Sequence, residues 1–140
     1  MKKTTLIWTA LIVTGMIVSA CAPGISNQSL NDTTWRLVSY GSATDPTPAA
    51  PDIETTLTFG ADGQVSGNMG CNSFSGTFEL KGDKIEFGPI TSTMMACEGP
   101  GMEQEAAAFN VLRETVTASF DGSNLTLTGP DGDVLALTQK

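Results

Sequence analysis

A mainly β (α+β) domain is predicted: a small antiparallel, barrel-like sheet of seven to eight strands with one α-helix at about residues 102–115. Three observations predict it. Apolar residues alternate with polar ones at period two through most of the chain beyond residue 31, which puts them on one face of extended strands. Turn-forming groups of Gly, Asp and Asn separate these runs and supply the positive φ that tight hairpins need. A single stretch abandons period two for a helical stripe.

The first strand carries Trp35, Leu37 and Ser39 on one face and Arg36, Val38 and Tyr40 on the other. Residues 41–51 hold three of the chain's prolines (Pro46, Pro48 and Pro51) and read as a mobile, extended loop. Leu57 and Phe59 then share a face, and Gly60-Ala61-Asp62-Gly63 turns the chain into Val65. Phe74, Gly76, Phe78 and Leu80 alternate against Ser75, Thr77 and Glu79, and Lys81-Gly82-Asp83 turns into Ile85 and Phe87. Met102, Ala106, Phe109, Leu112 and Val116 form the helical stripe. Gly99-Pro100-Gly101 excludes an earlier start, while Glu103 and Glu105 in the first turn and Arg113 near the end suit the helix dipole. Val116, Ala118 and Phe120, then Leu125 and Leu127, then Leu135 and Leu137 complete the strands, with turns at Asp121-Gly122-Ser123-Asn124 and Gly129-Pro130-Asp131-Gly132. An eight-stranded barrel has room inside for its own side chains or one small ligand. The helix is expected to plug an end or cover an open edge.

The N-terminus reads as an address. Lys2 and Lys3 precede an apolar run of about 15 residues, short of the about 20 a spanning helix needs, and Val18-Ser19-Ala20-Cys21 follows. This is the pattern of a secretory signal, and it resembles a bacterial lipobox. Residues 1–20 are therefore expected to be a lipoprotein signal peptide. Residues 21–31 are expected to be a flexible tether with lipidated Cys21, and 32–140 the folded domain. Two or three acyl chains, at about 0.8 kcal/mol per buried CH₂, would hold such a chain on a bilayer. Ala22 rather than Asp after the Cys resembles an outer-membrane address, facing the periplasm.

Charge and composition exclude several function classes. Seven Lys and Arg against 15 Asp and Glu give a net charge of −8. Without Lys2 and Lys3, the 5 remaining basic residues leave −10. Such a domain is a poor partner for nucleic acid, whose phosphates demand cations. The chain has no histidine, which removes Ser-His-Asp and Cys-His catalysis and every His-ligated metal site. Asp62, Asp83, Asp121, Asp131 and Asp133 fall in hairpin turns, where turn geometry accounts for them. Asp131-Gly132-Asp133 lacks the downstream Glu of a calcium loop. No enzymatic activity, cofactor or metal is expected.

With Cys21 assigned to lipid, Cys71 and Cys97 remain. An even pair in an exported domain is most simply a disulfide, closing a loop of about 26 residues. Two buried thiols are the alternative. Both cysteines sit in Met-x-Cys, at Met69-Gly70-Cys71 and Met95-Ala96-Cys97. If they pair, Met69 and Met95 would lie together with Met94 near, a soft donor set of the kind that suits Cu(I). Packing is the simpler role for these methionines.

Gly70-Cys71-Asn72-Ser73-Phe74-Ser75-Gly76, then Thr91-Ser92-Thr93-Met94-Met95-Ala96-Cys97, then an acidic helix start at Glu103, resemble the META domain of HslJ-like heat-shock lipoproteins. Thr34-Trp35-Arg36-Leu37 and Leu125-Thr126-Leu127 fit as well. The family motif residues are Gly70, Cys71, Asn72, Phe74, Gly76, Thr93, Met94 and Cys97. The resemblance implies a β-rich fold with lipocalin-like barrel topology and one helix, and an envelope role tied to stress or antibiotic tolerance. It carries over no catalytic residue. Asn72 is expected to bond local backbone and Phe74 to sit in the core. The function expected is that of a non-enzymatic envelope lipoprotein that binds an envelope protein or stabilises the cell surface. The alternative is an inhibitor or small-ligand-binding barrel of the lysozyme- or protease-inhibitor type, with residues 41–52 or 129–133 as its protruding loop.

Overall fold

The computed structural model describes residues 30–140, so the expected signal peptide, the lipidated Cys21 and most of the expected tether lie outside the described residues. The strands are β1 (Thr33–Ser42), β2 (Pro46–Pro48), β3 (Thr56–Phe59), β4 (Gln64–Asn68), β5 (Ser73–Lys81), β6 (Lys84–Phe87), β7 (Thr91–Ser92), β8 (Thr115–Asp121), β9 (Asn124–Thr128) and β10 (Asp133–Gln139). The helix α1 (Pro100–Leu112) lies between β7 and β8.

Eight of the strands run in the order β1-β3-β4-β5-β6-β8-β9-β10, every neighbouring pair antiparallel, and β10 returns to β1 to close the barrel. That last seam runs from Trp35 opposite Gln139 to Ser42 opposite Asp133. Closure leaves the barrel itself without an unpaired edge. The two short strands are appended: β2 pairs with β1, and β7 pairs with β5.

The period-two pattern delivers its apolar face to the interior. Trp35, Leu57, Phe59, Val65, Ile85, Val116, Leu125, Leu127, Leu135 and Leu137 are all buried. Phe78 packs edge-on against Phe59 with ring centroids 4.9 Å apart, a favoured aromatic geometry. These side chains fill the barrel. The turns form where Gly and Asp were grouped: Gly63, Gly82, Gly122 and Gly132 all adopt positive φ, which an L side chain would resist.

Four local readings of the sequence need correction. Tyr40 is buried, on the same side as Trp35 and Leu37, because a β-bulge between Leu37 and Ser39 inserts Val38 and inverts the alternation beyond it. Residues 46–48 form strand rather than free loop: Pro46 lies opposite Gly41 and Pro48 opposite Ser39. Proline is tolerated there because β2 is an edge that need not donate outward. Leu30, expected within the tether, is fully buried in the core, and its carbonyl accepts a hydrogen bond from the Thr33 hydroxyl.

The helix is the fourth. It starts at Pro100, since proline at the first helical position loses no intrahelical bond, and it ends at Leu112, so Val116 belongs to β8. Its buried face is Gly101, Gln104, Glu105, Ala108, Val111 and Leu112, while Met102 and Ala106 face solvent. The apolar stripe misjudged this face because two of its buried positions are polar.

Between the stretches of β1 that pair with β3 and with β2, residues 49–55 complete the wall. The Ala49 N–H donates to Val38 O at 2.9 Å. The Leu37 N–H donates to the buried Thr55 hydroxyl at 2.9 Å.

Leu30→Ala removes a fully buried side chain and is expected to cost about 2–5 kcal/mol, read as a lowered urea midpoint. An unchanged midpoint would put Leu30 outside the core.

Candidate functional site

The motif residues converge where α1, the β4–β5 connection and the segment after β7 meet. The chain leaves β4 at Asn68, whose side chain folds back on its own connection. Its Oδ1 accepts from the Gly70 N–H at 2.9 Å, and its Nδ2 donates to Cys71 O at 3.2 Å. This is the local bonding by which asparagine favours turns.

Glu105 reaches this turn from the helix. Its Oε2 accepts from the backbone N–H of Cys71 at 2.8 Å and from that of Asn72, and its Oε1 accepts from Asn72 Nδ2 at 2.8 Å. Glu105 is only 5% exposed. Three donors converging on one carboxylate are what a buried anion without a cation partner requires.

Asn72 passes the connection on. Its Oδ1 accepts from the Met95 N–H and from the Thr93 hydroxyl, each at 2.7 Å, and its Nδ2 also donates to Met95 O at 3.2 Å. The Cys71–Cys97 disulfide, with Cα atoms 6.0 Å apart, ties the same two segments a second time. Gln104, also fully buried, donates from Nε2 to Met69 O at 2.6 Å and accepts from the Ala50 N–H at 2.8 Å. Four stretches of chain around residues 50, 70, 94 and 104 are thereby bound together. Among the described residues, no buried side-chain nitrogen or oxygen is left without a partner.

The glycines permit the approach. A Cβ on Gly70 would stand 2.0 Å from Gly101 O, so the turn and the helix touch backbone to backbone. A Cβ on Gly76 would press on Pro89 O at 3.0 Å and Ile90 at 3.1 Å, beside the segment that leads into β7. Phe74 is buried and meets Phe109 of the helix edge-on at 5.5 Å.

The structure therefore brings Gly70, Cys71, Asn72, Phe74, Thr93 and Cys97 into one cluster, with Gly76 beside it. Met94 stands apart: its side chain is 97% exposed, and that of Met95 is 55% exposed, whereas Met69 is fully buried. Oxidised cysteines and dispersed methionines do not make the soft copper set that the Met-x-Cys repeats suggest. The sequence reading missed Gln104 and assigned Glu105 only to the helix dipole. The available signal is the helical spacing of Gln104 and Glu105 from Ala108, Val111 and Leu112, which puts all five on one face.

Nearby, burial and the charge of Glu103 together raise the Tyr40 phenol above its ordinary pKa. Arg36, Leu37, Val38, Ala49 and Ile53 line an open surface cleft of about 160 Å³ at the bulge. No helix among the described residues is long and apolar enough to cross a membrane.

The fold and this cluster define a small closed antiparallel barrel with one helix clamped to it. The chain belongs to the META domain family, whose profile matches residues 28–140. Solved structures share the fold. A protein from Burkholderia xenovorans, determined by NMR, superposes with a TM-score of 0.69 at 28% identity, over 81% of this chain and 86% of that one. A second NMR structure gives 0.66 at 23% identity, over 81% and 94%. The crystal structure of a DUF4847 family protein from Bacteroides vulgatus gives 0.59 at 16% identity, over 80% and 95%; these last two likenesses are of fold alone. No curated protein matches the chain.

Three variants test the clamp. Asn72→Ala would strand the Met95 N–H and one oxygen of Glu105, and a loss of about 1–3 kcal/mol is expected. Glu105→Gln would point an amide at Asn72 Nδ2 or at two backbone N–H groups, with a loss of similar size. Both are read from urea midpoints, and wild-type values would mean the carboxylate holds nothing. Replacing Cys71 and Cys97 together by Ala is expected to cost about 3.5 kcal/mol on the loop-entropy account of a 26-residue closure.

Proposed function

We propose that this chain is a non-enzymatic, lipid-anchored protein of the bacterial cell envelope that binds another envelope protein through its outer surface. The observation that carries this reading is the commitment of its buried polar groups. Glu105, Asn72 and Gln104 each use their oxygens and nitrogens to hold this fold's own backbone, so none is poised toward a substrate. A group that acts as acid, base or nucleophile needs reach to a reacting atom. The interior is packed with Trp35, Phe59 and leucines, which argues against a ligand held inside the barrel in lipocalin fashion. Any binding then falls to loops and edges outside. A net charge of −8 argues against nucleic acid as the partner.

The lipobox-like Val18-Ser19-Ala20-Cys21 supports attachment through Cys21, and Ala22 supports the outer membrane, periplasmic side. The role in stress or antibiotic tolerance rests on the likeness to HslJ-like proteins.

Two experiments test the reading. Fractionation of cells with mass spectrometry of the N-terminus should find an acylated Cys21 in the membrane, and Cys21→Ala should release or strand the chain. A cytoplasmic, acyl-free product with its leader intact would overturn the localisation. Crosslinking in intact envelopes should capture one reproducible protein neighbour, and a chain that captures none would overturn the binding role.

A further inference from the structure

We propose that the outer edge of β7 is a docking edge for an extended segment of a partner polypeptide, which adds to the sheet as a strand. This names the surface and partner chemistry of the protein-binding role above and rests on that reading.

The backbone of β7 makes the case. Thr91 and Ser92 pair with Ser75 and Phe74 of β5, and the Thr93 N–H continues the ladder to Ser73 O at 3.0 Å. Beyond it the Met95 N–H turns to Asn72 Oδ1 on the same side. Alternation along an extended chain then directs the N–H and C=O of Ser92 and Met94 away from β5. No strand pairs with β7 on that side among the described residues, and Thr91, Ser92, Thr93 and Met94 are all exposed. Two sets of backbone donors and acceptors are thus offered at strand spacing.

The other appended strand shows what a blocked edge looks like in this molecule. β2 carries Pro46 and Pro48, whose rings remove two donors. β7 has no such block. Residues 88–97 contain no charged side chain, although charge on an edge is the usual deterrent to pairing. At the open edge stands Met94, 97% exposed, an adaptable apolar side chain of the sort found on binding surfaces. The segment is also held in place before any partner arrives. Asn72 bonds to Thr93 and Met95, and the disulfide holds Cys97. Little ordering entropy is left to lose on docking. Glu98, exposed, closes the segment in a chain of net charge −8. The complementary segment is therefore extended, β-branched or apolar at its centre, and basic at the end that meets Glu98. A second copy of this chain is disfavoured, because the β7 edge spans too few residues for the ~800 Å² per partner of a stable dimer.

The test uses an acetylated, amidated peptide of sequence Lys-Thr-Val-Thr-Leu-Thr-Lys, titrated into the ¹⁵N-labelled full chain in detergent micelles. The largest amide shifts are expected at Ser92 and Met94, and their hydrogen exchange should slow about tenfold at saturation. Met94→Lys should weaken the peptide at least about tenfold with an unchanged melting temperature, because the Met94 side chain supports nothing in the fold. The same peptide with N-methyl groups on alternate residues should lose binding, since it lacks the donors a ladder needs. Shifts elsewhere, undiminished binding by the methylated peptide, or self-association of the chain through β7 without peptide would each overturn the proposal. If envelope crosslinking captures a neighbour while this edge stays silent, the docking edge falls and the protein-binding role stands. If no neighbour is captured, the binding role falls and the docking edge falls with it, whatever the peptide does in vitro.

Discussion

A buried carboxylate organises this molecule. Glu105 sits on the helix with almost no access to water, and it accepts from two consecutive backbone N–H groups and from the Asn72 amide. A carboxylate in that position is tolerable only while every donor stays in place, since an isolated buried charge is among the costliest things a protein can contain. The β4–β5 connection must therefore present its amides inward, and the helix must approach until Gly70 and Gly101 touch. Hydrogen bonds to charged groups contribute about 1.5–3 kcal/mol each. The clamp thus fixes the polar side of a turn whose apolar side is anchored in the core by Met69.

Asn72 extends that constraint to a part of the chain with little else to hold it. Residues 91–99 are exposed throughout and contribute nothing to the core. Their conformation comes from Asn72, from the disulfide and from two residues of ladder with β5. The family motif is therefore best understood as a device for holding a surface segment rigid at one end of a barrel. Gly70, Cys71, Asn72, Thr93 and Cys97 make the device, and Met94 is what it displays.

The barrel supplies the frame. Closure between β10 and β1 joins the first and last strands of the eight-stranded sheet, and buried side chains fill the interior. The bulge at Val38 bends β1 so that one strand can pair with β3 near its start, with β2 near its end, and with β10 along its length. Where neither β3 nor β2 reaches, Thr55 and Ala49 satisfy the backbone instead. Each irregularity in the wall has its own polar compensation, as buried backbone requires.

Much of this was legible in the residues alone. Alternation of Leu57 with Phe59, of Leu125 with Leu127 and of Leu135 with Leu137 identifies strands and their inward faces, because side-chain direction on a strand depends only on parity. Glycines at the hairpins mark the turns for the equally local reason that positive φ is cheap only there. The cysteine pair and the motif around it point to one cluster. What no local rule could supply is everything that depends on a distant partner. The bulge that buries Tyr40, the burial of Leu30, and the inward face of Gln104 and Glu105 are settled by segments tens of residues away, while β2 forms by folding back on the end of β1. A polar residue is read as exposed until the chain that satisfies its hydrogen bonds is known, and only the tertiary structure brings that chain into place.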